Sequence, residues 1–198
     1  MWRMSQAQPT GAGTAGTAGT AGTAGTAGIA GTVRMLMPGD WQALRAARLA
    51  ALAEAPYAFG STLERELILD EAHWRGRIAG SAFFAAWRDG QVIGMACGLS
   101  GEAEGADAAE QGARSWHLVS MWAAPDARGT GVADQLVAAV CEQASGSGAD
   151  RVTLWVTDVN ARARAFYQRL GFVPTGKRQP VRPDDPGHWE QELARELG

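Results

Sequence analysis

Arg128-Gly129-Thr130-Gly131-Val132-Ala133 joins an apolar, strand-like run from Leu118 to Ala124 to an amphipathic, helix-like run from Val132 to Ala144. That context predicts a strand, a tight glycine turn and the start of a helix. Gly129 and Gly131 let backbone come close to a ligand, and the first helical turn leaves N–H groups unpaired at the positive end of its dipole. A phosphate or pyrophosphate suits such a place, and Arg128 can add a planar charged donor to the same anion.

Downstream, Arg151 to Thr157 is a β-branched strand and Asn160 to Leu170 a helix closed by Gly171. Phe172 to Thr175 and Trp189 to Leu197 read as two further strands. Upstream, Arg114 to Ala124 forms the strand that feeds the turn, and before it Gly101 to Ala113 reads as a solvated, acid-containing loop. Ala82 to Trp87, the turn Arg88-Asp89-Gly90, and Gln91 to Leu99 read as a β-hairpin. Before that hairpin, Val33 to Met37 is a short strand. Trp41 to about Ala53 is a helix with Asp40 as its N-cap. Ala55 to Thr62 is a loop carrying Tyr57 and Phe59, and a second helix runs from Leu63 or later to Ala79.

From Ala12 to Thr32 the chain is seven Ala-Gly-Thr triplets broken only by Ile29. Such a tract cannot bury enough apolar area to offset its ordering entropy, so residues 1–32 are expected to be a disordered leader and 33–197 a single domain. A net charge of −3 argues against a nucleic-acid binder. No apolar run reaches about 18 residues and no signal-like start is present, so a cytoplasmic protein without a membrane span is expected. Cys97 and Cys141 form no metal-ligand or disulfide pattern.

The order of elements and the motifs together resemble the GNAT superfamily of acyl-CoA-dependent N-acyltransferases. Its central signature is Arg or Gln, two residues, Gly, one residue, then Gly or Ala, and residues 128–133 fit it at each defined position. Asn160, Ala165, Phe166-Tyr167 and Leu170-Gly171-Phe172 look like the family's second cofactor motif. Rossmann and P-loop folds fall behind, since no GxGxxG follows and the turn lacks the P-loop Lys-Ser/Thr.

The resemblance implies an α/β (α+β) fold: a mixed central sheet of six to seven strands flanked by about four helices, with the fourth and fifth strands diverging. It implies acetyl-CoA as co-substrate, no metal, and direct attack of an amine on the thioester. Backbone at Met121, Trp122 and Ala123 would pair with the pantetheine arm. Arg128, Gly129, Thr130, Gly131, Val132 and Ala133 would hold the pyrophosphate, and Asn160 the cofactor arm. Tyr167 stands where the family often places the general acid toward the leaving thiolate, and a tyrosine merely packed beside Phe166 is the alternative. His117 lies eleven residues before Arg128, where some members carry a glutamate base, and an imidazole suits that work; a water chain or a substrate carboxylate competes with it.

Trp116, Trp122 and Trp155 are chiefly core candidates, and one of them, or Tyr57 and Phe59, could line the acceptor pocket. Glu64, Glu66, Asp70 and Glu71 could attract a cationic amine, although a solvated helix face explains them more simply. The acceptor is a small-molecule, peptide or protein amine of unspecified identity. Exposed strand edges near the C-terminus leave a homodimer open. An acyl-CoA sensor without turnover and a transferase of longer acyl groups are the alternative functions.

Overall fold

Asp89 and Gly90 take φ of 50° and 76°, the left-handed pair that a two-residue hairpin turn requires. They join β2 (Ala82–Arg88) to β3 (Gln91–Gly101), and β1 (Thr32–Met35) pairs with the free side of β2. The computed structural model describes residues 31–101, 114–182 and 185–198. All but the last two residues of the expected leader, and the acid-rich loop from 102 onward, lie outside them.

β4 (Ser115–Ala123), β5 (Arg151–Thr157), β6 (Val173–Arg182) and β7 (Asp185–Glu196) complete one sheet of seven strands in the order β1-β2-β3-β4-β5-β7-β6. Every neighbouring pair is antiparallel except β4 and β5. That parallel pair is short, with only Ser115, Trp116 and His117 registering against Arg151, Val152 and Thr153. Beyond those residues the two strands part and open a wedge in the middle of the sheet.

Helices cover both faces. α4 (Val132–Gly146) and α5 (Ala161–Arg169) lie on one side. There Val132, Leu136, Val137, Val140 and Ala144 are completely buried, each Val or Leu stabilising the fold by roughly 1.5–3 kcal/mol. Gly94 lets α4 come close, because a Cβ there would lie 2.9 Å from Leu136 Cδ1 and 3.1 Å from the Trp122 carbonyl oxygen. α1 (Trp41–Glu54), α2 (Leu63–Leu67) and α3 (Glu71–Ala79) pack on the other side around Leu44, Leu52, Trp74, Phe83 and Met95. Among the described residues no helix is long and apolar enough to cross a membrane.

Among the described residues five α-helices appear where about four were expected. The difference lies in the stretch read as one helix to Ala79. Asp70 accepts a hydrogen bond from the His73 N–H at 2.9 Å and starts a new helix, so α2 and α3 are separate. Asp40 does not cap α1. It sits in a 3-10 turn, Pro38–Asp40, where its carboxylate takes the Met37 N–H and the Arg34 guanidinium. The last two strands are longer than their sequence suggested, because polar residues pair along a hairpin with one side toward solvent.

Candidate active site

The wedge acquires its shape from a bulge in β4. Trp122 registers with Met95 and Val119 with Cys97, so Ser120 and Met121 together oppose Ala96, and Ser120 adopts φ 55°. A non-glycine residue in that region stores strain, which bulges commonly spend on redirecting a strand beside a site. Here the bulge turns the end of β4 away from β5.

At the end of β4 a 3-10 turn, Pro125–Ala127, leads into the glycine turn. Gly129 and Gly131 have φ of 80° and 89°, and a Cβ on either would meet nothing within 4 Å. Their requirement is therefore backbone conformation, and the space beside them stays open for a ligand. Thr130 donates its hydroxyl to the Ala127 carbonyl at 2.7 Å, and Val132 is anchored in the core. Those two side chains fix the turn and leave only backbone to a ligand.

A cavity of about 480 Å³ fills the wedge. Met121, Trp122, Ala123, Arg128, Gly129, Gly131, Ala133, Asn160 and Tyr167 all line it, so nine of the expected residues converge. Thr130, Val132 and His117 do not line it. Asn160 caps α5 through Oδ1, which accepts from the Ala163 N–H at 3.0 Å, leaving its amide nitrogen for another partner. Tyr167 packs edge-on to Phe166 and Phe172. Its hydroxyl finds no protein partner among the described residues, and burial pushes the phenol above its ordinary pKa.

Arg128 is already engaged. Its Nη2 donates to Glu54 Oε2 at 2.6 Å and its Nε to the Ala123 carbonyl at 3.1 Å. That pairing, helped by a bond from Trp122 Nε1, holds Glu54 below the usual carboxylate range despite its partial burial. The side chain thus ties the glycine turn to the end of α1. Two arginines that sequence reading missed, Arg162 and Arg169, reach the same cavity from α5. Their signal was the helical spacing Arg162, Phe166, Arg169. Arg169 pairs with Asp134 at 2.7 Å, whereas Arg162 has no ion pair among the described residues.

His117 stands at the closed end of the wedge. Its Nδ1 lies 2.8 Å from Thr153 Oγ1, and burial lowers its pKa so that it is held neutral. Thr157, at the open end, lies four positions beyond Thr153, roughly 13 Å of strand. At that open end the cavity is lined by Tyr57, Phe59, Trp155, Thr157 and Glu190. Both cysteines are buried and absent from the lining, and burial pushes the Cys97 thiol up to about 12. Glu66 is no solvated charge. It is 1% exposed and bonded to Arg48 and Arg77.

A wedge between two parallel strands, fed by a glycine turn at a helix start, is the arrangement that the resemblance to N-acyltransferases implied. The Acetyltransferase (GNAT) family profile matches residues 45–172, and the chain belongs to that family. It is 33% identical over 97 residues to an uncharacterized N-acetyltransferase of Mycobacterium tuberculosis, covering 49% of this chain and 56% of that protein. It is also 31% identical over 143 residues to the mycothiol acetyltransferase of Streptomyces coelicolor, covering 72% of this chain and 42% of that one. The chain thus spans about half the length of these curated relatives. Among solved structures it shares its fold with yncA of Salmonella typhimurium, determined with its cofactor acetyl-CoA, at TM-score 0.65 and 16% identity over 85% of this chain and 94% of that one.

Proposed function

We propose that this protein transfers the acetyl group of acetyl-CoA to a primary amine in one direct step. The observation that carries this reading is the convergence on one cavity of the unpaired β4 edge, the open glycine turn, Asn160 and an unpartnered Tyr167 hydroxyl. Backbone of Met121 to Ala123 holds the pantetheine arm and the thioester. The turn and the first N–H groups of α4 hold the pyrophosphate. Tyr167 stays protonated and gives its hydrogen to the departing sulfur. With its thiol pushed up to about 12, Cys97 holds little thiolate for an acyl-enzyme route.

The test is release of free CoA from acetyl-CoA by the full chain against a panel of alkyl amines, amino acids, aminoglycosides and peptides. Amine-dependent release with an acetylated product supports transfer. Tight acetyl-CoA binding with no release supports the sensor reading. Comparing acetyl-, propionyl- and succinyl-CoA resolves the acyl preference.

Arg162 supplies a charge for the cofactor's phosphates in this reading. Arg162→Ala should raise the KM for acetyl-CoA roughly fivefold, about 1 kcal/mol, with kcat unchanged. His117 does not line the cavity and is bonded to Thr153, so this reading gives it no direct contact with the amine. His117→Gln is expected to change kcat/KM less than about threefold, measured from pH 6 to 9, and a loss approaching 100-fold would restore it as the direct base.

A further inference from the structure

Resting on the transferase reading, we infer that Glu190 and Thr157 form the seat for the acceptor's ammonium, that Glu190 takes its proton, and that the neighbouring cleft selects an amine carrying an apolar, ring-sized group. Thr157 and Glu190 are direct cross-strand partners on β5 and β7, so their side chains share one face of the sheet. Both line the wedge cavity together with Met121 and Tyr167. Thr157 is 7% exposed, and its hydroxyl oxygen is buried with no hydrogen-bond partner. Such an orphan is costly unless a ligand completes it.

Glu190 accepts from Gln179 Nε2 at 2.8 Å through Oε1, and no cation among the described residues pairs with it. A half-buried carboxylate of that kind has both an affinity for an ammonium and a readiness to accept its proton. Burial raises its pKa, and the Gln179 bond offsets this only in part.

The second cavity continues from the first. About 90 Å³ in volume, it shares Tyr57 and Thr157 with the wedge and adds Val159, Val181 and Trp189 as apolar walls, with Asp158 and His188 as its polar lining. Tyr57, Val159 and Trp189 are 58%, 70% and 42% exposed. Tyr57 and Val159, with the Trp189 ring whose face also carries the Arg178 guanidinium 5.7 Å from its centroid, stand beside a carboxylate and an orphan hydroxyl and match an amine whose substituent is aromatic or branched aliphatic. The volume suits one such group rather than an extended chain.

The chemistry balances. The ammonium gives one proton to Glu190, which later returns it to water. The neutral nitrogen attacks the thioester carbonyl, forming C–N while C–S breaks. The second proton lost from nitrogen balances the one gained by the thiolate, so the products are the amide, free CoA and one proton.

The probes are 2-phenylethylamine, an ammonium near pH 7, and O-benzylhydroxylamine, of almost the same shape but neutral there. Wild type should acetylate both. Glu190→Gln should lower kcat/KM for phenylethylamine about 100-fold and that for O-benzylhydroxylamine less than about fivefold, with the KM for acetyl-CoA and the melting temperature unchanged. Glu190→Asp should recover part of the loss. Equal losses on both probes, a loss residing in the acetyl-CoA KM, or no loss overturns the inference. Wild type that acetylates other amines of the panel but not phenylethylamine overturns the inference while the transferase reading stands. Wild type inert toward every amine overturns both.

Discussion

Tyr167→Phe is expected to lower kcat on the order of 10³-fold while leaving the Kd for acetyl-CoA within about threefold and the melting temperature nearly unchanged. The ring keeps its edge-on contacts with Phe166 and Phe172, whose centroids lie 5.1 and 5.8 Å away. The hydroxyl has no protein partner to lose, so removing it strands no buried group. What disappears, in the proposed mechanism, is the hydrogen offered to sulfur. In a site shielded from water, a thiolate leaving without a donor is far less stable than in bulk solvent. Because burial raises the phenol's pKa, it remains a donor across the working pH range. Single-turnover acetyl transfer measures the effect, and an acetyl thioester of a more acidic thiol should suffer a smaller loss, since its leaving group needs less help. A change under threefold would return Tyr167 to the role of a packed aromatic.

The residues of the proposed cofactor half of the cavity were legible because their determinants are local. Gly129 and Gly131 announce backbone at positive φ beside a helix start, and Asn160 and Tyr167 follow on one short helix. The Asp89-Gly90 turn was equally readable for the same reason. The proposed acceptor half was not. Thr157 and Glu190 lie 33 residues apart and meet only through the register of β5 against β7. Nothing in the composition of either strand marks that register, even though Thr157 and Glu190 both fall within stretches read as strands. Arg128 shows the complementary limit: its presence in the turn was plain, but its engagement with Glu54 depends on where α1 ends in space. The break between α2 and α3 was available in principle, since Asp70 before Glu71 is an N-cap pattern.

Glu66→Ala is expected to destabilise the fold by about 3–5 kcal/mol, a large share of the roughly 5–15 kcal/mol that holds a domain together. The Glu66 carboxylate is 1% exposed and takes Arg48 Nε at 3.1–3.2 Å, Arg48 Nη2 at 2.9 Å and Arg77 Nη1 at 2.9 Å. Through it α1, α2 and α3 are clamped to one another. Arg48 also lies over the Phe59 ring at 4.7 Å, and Arg77 over Trp74 at 5.1 Å. Removing the carboxylate leaves Arg48, itself 7% exposed, as a buried charge without a counterion. Replacing both members by apolar side chains, Arg48→Met with Glu66→Leu, should therefore cost less than the single change. Burial alone would raise the carboxyl's pKa, but Arg48 and then Arg77 overcome it and hold it at about 2. A folded pKa below the unfolded value of about 4.3 means that this stabilisation is complete above that pH and fades as pH falls toward 2. Urea unfolding between pH 6 and 3 should show wild type losing stability on acidification and Glu66→Ala following a flatter curve. At a temperature where the variant remains folded, its KM for the amine should rise more than its Kd for acetyl-CoA. The clamp supports Phe59 and the turn bearing Tyr57 on the proposed acceptor side, whereas the glycine turn leads into α4 across the sheet and reaches the clamped helices only through the Arg128–Glu54 pair at the end of α1.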